Sequence, residues 1–177
     1  MPASTISRRP VRRYECLSLS APNPPDLRNP LHLLAFGFGS GLAPKAPGTF
    51  GTLAAVPVYL LLQPLPPSLY LALLVCGFLA GIAICGHTSR DLGVHDHGGI
   101  VWDEIIGFLV TMTPVVHDGW WWILPGFALF RLFDILKPWP IGWLDRRLQG
   151  GLGIMLDDLV AGLFAALLLG LAHWAWF

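Results

Sequence analysis

The chain has 177 residues, of which 54% are hydrophobic and only 12% are charged, and its formal net charge is zero. Disordered and coiled-coil chains need many more charges, and a nucleic-acid-binding chain needs a basic surplus, so these classes are excluded. The composition predicts one all-α domain, a small multi-helix integral membrane protein, and no nucleic-acid partner.

The N-terminal segment differs from the rest of the chain in charge. Residues 1–30 carry five arginines against one glutamate and one aspartate, which leaves a net charge of +3. Polar and proline-rich sequence follows the arginines in place of an apolar run, so a signal peptide is not indicated. We predict a flexible basic tail over residues 1–30 and a single helical membrane domain, which carries any activity, over residues 31–177.

Apolar segments occupy most of the remaining chain. Residues 46–89 contain no Asp, Glu, Lys or Arg, and the proline-rich stretch at 63–68 divides them into helices at about 50–62 and 69–86. Further apolar segments run over residues 105–116, 120–135 and 159–177. We therefore predict four to five apolar helices. Several are short for a full crossing, so helices that reach only half-depth are an alternative.

The positions of the charged residues predict an orientation in the membrane. If the N-terminal tail is cytoplasmic, the turns at 63–68 and 117–119 face outward, and neither contains Lys or Arg. The remaining basic residues then obey the positive-inside rule. In this arrangement Asp118 is the one acid of residues 31–177 on the outer side. We expect a multi-pass protein whose charged layer, and candidate site, face the cytoplasm.

Four of the acids form two adjacent pairs. Asp103-Glu104 is predicted to open the third apolar helix, and Asp157-Asp158 to open the last one. Carboxylates are common at helix N-termini because they interact favourably with the helix dipole, and this would explain either pair alone. Two pairs in one layer repel each other unless a cation lies between them. Oxygen ligands without cysteine favour Mg²⁺ over Zn²⁺.

A third group of charges follows the fourth apolar segment. Arg131, Asp134 and Lys137 recur at a spacing of three residues, which places them on one stripe of a helix. They could form a ladder of ion pairs on a solvated face. Alternatively, Arg131 and Lys137 bind a phosphate and Asp134 binds a metal. We favour the second interpretation because the stripe directly follows an apolar run at the predicted membrane surface.

Two loops supply further candidates. The segment 39–51, rich in glycine and proline, contains Lys45 and is either a hinge into the first helix or a backbone nest for a phosphate. His95 and Asp96 lie in a polar loop and could bind a metal or act as a general base. On composition alone, the hinge and an ordinary solvated loop are the favoured interpretations. No motif for a covalent phosphatase nucleophile is visible, which leaves metal-assisted hydrolysis by water.

Four segments, taken together, resemble the phosphatidylglycerophosphatase A family. They are HLLAFGFGSGLAPKAPGTFG at 32–51, GVHDHGGIVWDE at 93–104, FRLFDILKPWPI at 130–141 and GGLGIMLDDLVAG at 150–162. The resemblance extends over about residues 32–162, with the motifs in the family's order. It makes a functional role for both loops the favoured interpretation.

The resemblance implies an Mg²⁺-dependent bacterial inner-membrane enzyme with an all-helical core. Such an enzyme removes the terminal phosphate of phosphatidylglycerol phosphate, so the expected partners are this phospholipid and the bilayer. We expect one or two Mg²⁺ ions to be held by some of Asp103, Glu104, Asp134, Asp157 and Asp158. We expect the phosphate to be held by Arg131, Lys137 and Lys45. The expected base for the attacking water is Asp96, His95 or Asp91.

Two other functions use similar residues. An ion-coupled transporter also needs acids within the membrane, but the predicted carboxylates lie at helix ends and no inverted repeat is visible. A phosphatase of another lipid phosphate, such as phosphatidate, would use the same site. A non-catalytic scaffold would have no need for a one-sided layer of acids and bases. No oligomeric state is predicted.

Overall fold

The structure is a computed structural model that describes residues 23–94 and 97–176, and this part of the chain is helical without strands. Short 3₁₀ segments connect some of the α-helices. The predicted all-α class is confirmed. The α-helices of the described residues are α1 (Pro30–Ala35), α2 (Pro47–Leu62), α3 (Pro67–Leu92), α4 (Trp102–Thr111), α5 (Ile123–Leu136), α6 (Ile141–Arg147) and α7 (Gly150–Trp176).

Proline and glycine set the limits of the first long helices. α2 and α3 begin at Pro47 and Pro67, where the missing amide hydrogen costs no hydrogen bond. α3 ends at Gly93, whose φ of 72° is the left-handed conformation that commonly terminates a helix. The two helices agree with the predicted segments at 50–62 and 69–86, and α3 continues for a further turn and a half.

α4 lies at the centre of the bundle. All of residues 105–111 are buried, because α2, α3, α5 and α7 pack around this short helix. Two buried tyrosines satisfy carbonyl groups near its C-terminal end: Tyr70 donates a 2.6 Å hydrogen bond to Leu109, and Tyr59 donates one of 3.3 Å to Val116. The ten residues of α4 span about 15 Å, half of a bilayer core, which agrees with the half-depth alternative.

Neighbouring helices alternate in direction. α3 and α7 are antiparallel, since Gly86 lies against Gly151 and Gly81 lies against Met155. α2, α4 and α7 run in one direction, and α3 and α5 run in the other. The C-terminal ends of α3 and α5 and the N-terminal ends of α2, α4 and α7 therefore lie at the same end of the bundle.

Two of the helices are long and apolar enough to cross a membrane. These are α3, with 26 residues, and α7, with 27, so each spans roughly 40 Å. Both helices present large exposed side chains, such as Leu79 and Leu167, each 60% exposed. These observations are consistent with a membrane protein. The number of complete crossings stays a prediction.

The last helix begins earlier than the sequence predicts. The expected start was about Leu159, with Asp157 and Asp158 at its N-terminus, but α7 begins at Gly150. The glycines at 150–153 form its first turn, because α3 packs there too closely for a side chain: a Cβ on Gly151 would lie 1.9 Å from the Ile82 carbonyl oxygen. Asp157 and Asp158 thus lie inside the helix, and the helix-dipole explanation does not apply to them.

The ends of the bundle differ in charge as predicted. Asp118 lies beside His173, near the C-terminal end of α7, with 3.3 Å between Oδ2 and Nε2. His173 is about 22 Å along α7 from Asp158. Of the predicted tail, residues 1–22 lie outside the described residues, whereas Asn23 donates hydrogen bonds to carbonyl groups at the end of α3.

Candidate active site

Three carboxylates converge where α4 begins. Asp103 and Glu104 lie in the first turn of α4, and Asp158 lies in the third turn of α7. One oxygen atom from each residue lies within 4.8 Å of the others. The N-terminal dipole of α4 offsets part of the repulsion between these groups. Asp158 itself is only 3% exposed, so the cluster lies inside the bundle.

The unpaired oxygen atoms of this cluster fit a divalent cation. Among residues 23–94 and 97–176, Glu104 Oε2 and Asp158 Oδ2 are buried without a hydrogen-bond partner. Burial, together with the negative charge of Asp158, raises the pKa of Glu104 to about 8. A buried anion without a partner is costly, and a bound cation would remove that cost. The hard oxygen donors suit Mg²⁺.

A cavity of about 120 Å³ opens beside the cluster. Its walls combine acids and one lysine with a few apolar side chains and glycines. The charged residues that line it are Asp103, Glu104, Asp134, Lys137, Asp145, Asp157 and Asp158. The cavity is thus polar and lies at the end of the bundle where charges were predicted to gather.

Lys137 contributes a positive charge to this acidic cavity. It follows the last residue of α5 in a left-handed conformation, with φ of 41°, which turns it away from the helix. Its Nζ donates hydrogen bonds of 2.6 Å to Asp157 and 2.8 Å to Asp145. Burial lowers the pKa of Lys137, but these two hydrogen bonds outweigh that effect and hold the pKa above its ordinary value. Lys137 is therefore positively charged at neutral pH.

Arg131 connects α5 to the carboxylate cluster. Its Nη1 forms an ion pair with Asp134, one turn further along α5, and lies 4.0 Å from Glu104 Oε1. The Arg131–Asp134 contact is the ion pair that a helical ladder predicts. The ladder ends there, because Lys137 turns towards α6 and α7 instead.

The glycine-rich loop approaches the site through the first turn of α2. A Cβ on Gly48 would lie 2.3 Å from Glu104 Oε1 and 2.9 Å from Arg131 Nη1. The loop also packs on the segment before α4, where a Cβ on Gly41 would lie 2.0 Å from the Gly99 carbonyl oxygen. Glycine is needed at both positions because the chain segments approach so closely.

Comparison with known proteins identifies the family. The family model for phosphatidylglycerophosphatase A matches residues 33–173. This chain belongs to the phosphatidylglycerophosphatase A family. The protein of that name from Escherichia coli strain K12 is 51% identical over 140 residues, which is 79% of this chain and 81% of the relative. The Haemophilus influenzae protein of the same name is 47% identical over 150 residues, or 84% and 92% of the two chains.

A more distant relative carries a different name. A Bacteroides thetaiotaomicron protein, provisionally named a phosphatidylinositol-3-phosphatase, is 37% identical over 149 residues, which is 80% of this chain and 92% of the relative. No solved structure matches the chain. Both names describe lipid phosphatases, which agrees with the function class predicted from the motifs.

The structure brings together most of the site residues predicted for this member of the phosphatidylglycerophosphatase A family. All the expected metal ligands and Lys137 line one cavity, and Arg131 contacts two of those ligands. Lys45 is exposed and does not line the cavity, although it is three residues from Gly48. Asp91 lies on α3, with its Oδ2 3.3 Å from His32 and 3.1 Å from His87.

Two of the predicted bases cannot be placed, and one residue of the cavity was not predicted as a site residue. His95 and Asp96, two of the candidate bases, lie outside the described residues. Asp145 of α6 was missed as a site residue, although it lines the cavity and binds Lys137. Its sequence context, next to Arg146 and Arg147, indicated only a charged surface. Nothing in the spacing shows that α6 turns Asp145 back towards α5.

Proposed function

We propose that this protein hydrolyses the terminal phosphomonoester of phosphatidylglycerol phosphate in an Mg²⁺-dependent reaction, giving phosphatidylglycerol and inorganic phosphate. The observation that carries the proposal is the cavity in which three converging carboxylates lie near the cation Lys137. Family membership supports the substrate. Alone, the cavity would suit any phosphomonoester that can reach it.

Six of the charged residues that line the cavity have a part in this reaction. Asp103, Glu104 and Asp158 would hold the cation, and Asp134 and Asp157 extend the set of oxygen ligands. When bound, the ion supplies positive charge that polarises the phosphomonoester and favours ionisation of water. Lys137 adds a fixed positive charge for the phosphate oxygens.

Arg131 both positions the cluster and balances its charge. It is 14% exposed and contacts Glu104 and Asp134, so it fixes these two carboxylates relative to α5. A planar guanidinium can also hold a phosphate through two parallel hydrogen bonds. The general base stays a proposal among Asp91, His95 and Asp96. Asp91 does not line the cavity and lies beside two histidines, which argues against Asp91 as the base.

We further propose a multi-pass protein of the bacterial inner membrane whose cavity faces the cytoplasm. The two long apolar helices support a membrane location, and the basic residues near the cavity support the orientation. A lipid in the inner leaflet would then present its headgroup to the cavity while its acyl chains stay in the bilayer. Phosphatidate and phosphoinositides are the competing substrates, and the Bacteroides relative's name favours including the latter.

The proposal is tested by phosphate release from phosphatidylglycerol phosphate in detergent, with Mg²⁺ and with EDTA. Wild type should release phosphate only with Mg²⁺. Asp158→Asn should reduce the rate by about a hundredfold or more, because it removes one charge from the cluster. Asp118→Asn is the matched control, since this acid lies at the opposite end of the bundle beside His173. Equal rates for the two folded variants would contradict the assignment.

A further inference from the structure

Asp145 lines the charged cavity but has no part in the proposed reaction. Its side chain is 38% exposed, whereas the side chain of Asp157 is 8% exposed, so Asp145 lies nearer to the solvent than the other acid that binds Lys137. Asp145 does not belong to the three converging carboxylates that fit a divalent cation. Its place in the cavity therefore needs another explanation.

Helix α6 contacts residue 137 at two points. A Cβ on Gly142 would lie 2.7 Å from the Lys137 carbonyl oxygen, so the first turn of α6 packs directly on the backbone of the lysine. Three residues later, Asp145 Oδ1 accepts a 2.8 Å hydrogen bond from Lys137 Nζ. Positions three residues apart share one face of a helix. This face of α6 thus fixes both the backbone and the side chain of Lys137.

The Lys137 ammonium is held by two carboxylates from different helices. Besides the bond to Asp145 of α6, its Nζ donates a 2.6 Å hydrogen bond to Asp157 Oδ2 of α7. An ammonium has three donors in a tetrahedral arrangement, so two bonds fix the direction of the third donor. Within residues 23–94 and 97–176 the third donor has no partner. It remains for an oxygen atom inside the cavity that Lys137 lines.

Without Asp145, the ammonium would have one partner instead of two. The lysine side chain is a flexible four-carbon stem, so its Nζ would pivot about Asp157. Asp134 and Asp158 line the same cavity and would attract the ammonium towards themselves. The third donor would then point to a carboxylate instead of the phosphate. In enzyme sites, a displacement of about 1 Å is enough to lower activity by a large factor.

We propose that Asp145 is a positioning residue, which holds the Lys137 ammonium so that its third hydrogen contacts the substrate phosphate. This inference rests on the proposed function, because it assumes that the phosphate enters the charged cavity. Asp145 and the phosphate are both negatively charged and repel each other. Asp145 therefore favours phosphate binding only through Lys137, and without the lysine it opposes binding.

The test makes Asp145→Ala in two backgrounds, wild type and Lys137→Met. Alanine is a better helix former than aspartate, so the substitution does not weaken α6 itself. The measured quantities are kcat and KM for phosphatidylglycerol phosphate in detergent with saturating Mg²⁺. In the wild-type background we expect kcat/KM to fall about tenfold, mainly through KM. In the Lys137→Met background the same substitution should leave kcat/KM unchanged or raise it, because it removes an unpaired negative charge.

Two further variants separate positioning from a loss of structure. Arg146→Ala changes the next residue of α6, which does not line the cavity, and it should keep the wild-type KM. Asp145→Asn keeps the shape of the side chain and one acceptor oxygen, so its KM should rise less than that of Asp145→Ala. A larger rise in Asp145→Asn would contradict a positioning role. Thermal unfolding in detergent checks that each variant is folded.

The outcomes separate this inference from the proposed function. Similar losses from Asp145→Ala in both backgrounds would overturn the inference, because Asp145 would then act without Lys137, as a metal ligand or a structural residue. A wild-type KM in Asp145→Ala would overturn it as well, since Lys137 would need no second partner. In both cases the phosphatase activity of the wild type stands. Failure of the wild type to release phosphate would contradict the proposed function, and this inference with it.

Discussion

Lys137 donates a 2.6 Å hydrogen bond to Asp157, a residue twenty positions away on another helix. The same Nζ binds Asp145 of α6, so one cation joins the end of α5 to α6 and α7. Asp157 is 6% exposed, and its Oδ1 has no hydrogen-bond partner in the described part of the chain. The contact thus offsets the charge of a buried acid and holds a cation at the wall of the cavity.

Removing this cation should weaken substrate binding. Lys137→Met is expected to lower kcat/KM roughly 10- to 100-fold, mainly through KM, because a charge-assisted hydrogen bond contributes about 1.5–3 kcal/mol. Steady-state kinetics on phosphatidylglycerol phosphate measures this effect. Arg147→Met is the control, since Arg147 lies over the Trp143 ring and does not line the cavity. A KM equal to that of wild type would exclude Lys137 from substrate binding.

A positive charge alone at position 131 should not be enough for full activity. Arg131→Lys is expected to lose at least about tenfold in activity, because lysine cannot contact Asp134 and Glu104 from one planar group. The matched substitution is Arg146→Lys on α6, at a position that does not line the cavity. Activity close to wild type in Arg131→Lys would indicate that the guanidinium serves only as a positive charge.

A methyl group at position 48 should disturb the site. Gly48→Ala places a Cβ 2.3 Å from Glu104 Oε1, so the carboxylate or the first turn of α2 must move. We expect a weaker apparent affinity for Mg²⁺ and at least about tenfold lower activity. Gly98→Ala is a suitable control because a Cβ there meets no atom of residues 23–94 and 97–176 within 4 Å, although Gly98 also lines the cavity. Similar Mg²⁺ dependence in both variants would contradict the close contact.

Mg²⁺ binding should release a proton from Glu104 at neutral pH. Since burial raises the pKa of Glu104 to about 8, most of the metal-free protein carries this proton at pH 7, whereas a metal ligand must be ionised. Affinity should therefore rise with pH up to about 8. Calorimetry in two buffers with different ionisation enthalpies measures the released protons. Glu104→Gln should release nearly one proton fewer, and an unchanged number would mean that another group is the source.

The sequence predicts helix limits well where proline and glycine determine them. Pro47, Pro67 and Gly93 mark the ends of α2 and α3, and these helices were predicted closely. The prediction failed at residues 150–153, where glycines normally indicate a turn but where Gly151 permits close contact between α3 and α7. Local sequence cannot reveal that contact, because it depends on a helix some seventy residues earlier.

The candidate site also divides into residues that local sequence predicts and residues whose position depends on distant parts of the chain. Pairs of adjacent carboxylates are unusual in an apolar chain, and this pattern was enough to predict Asp103, Glu104, Asp157 and Asp158 as site residues. All four line the cavity. Asp145 was missed because its role depends on how α6 folds back on Lys137. Conversely, Asp91 has the right chemistry, but its position on α3 places it beside two histidines outside the cavity.

The carboxylates of the cluster come from two helices that are distant in sequence, α4 and α7. An ion held between them would act as a removable cross-link within the bundle, and the folded chain would bind it far better than the unfolded chain. The stability of the protein in detergent would then rise with the free ion concentration. Binding would add about 2.7 kcal/mol to the free energy of unfolding when that concentration is a hundred times the dissociation constant. A chelator would consequently act on the chain twice, stopping turnover and shortening the lifetime of the purified protein.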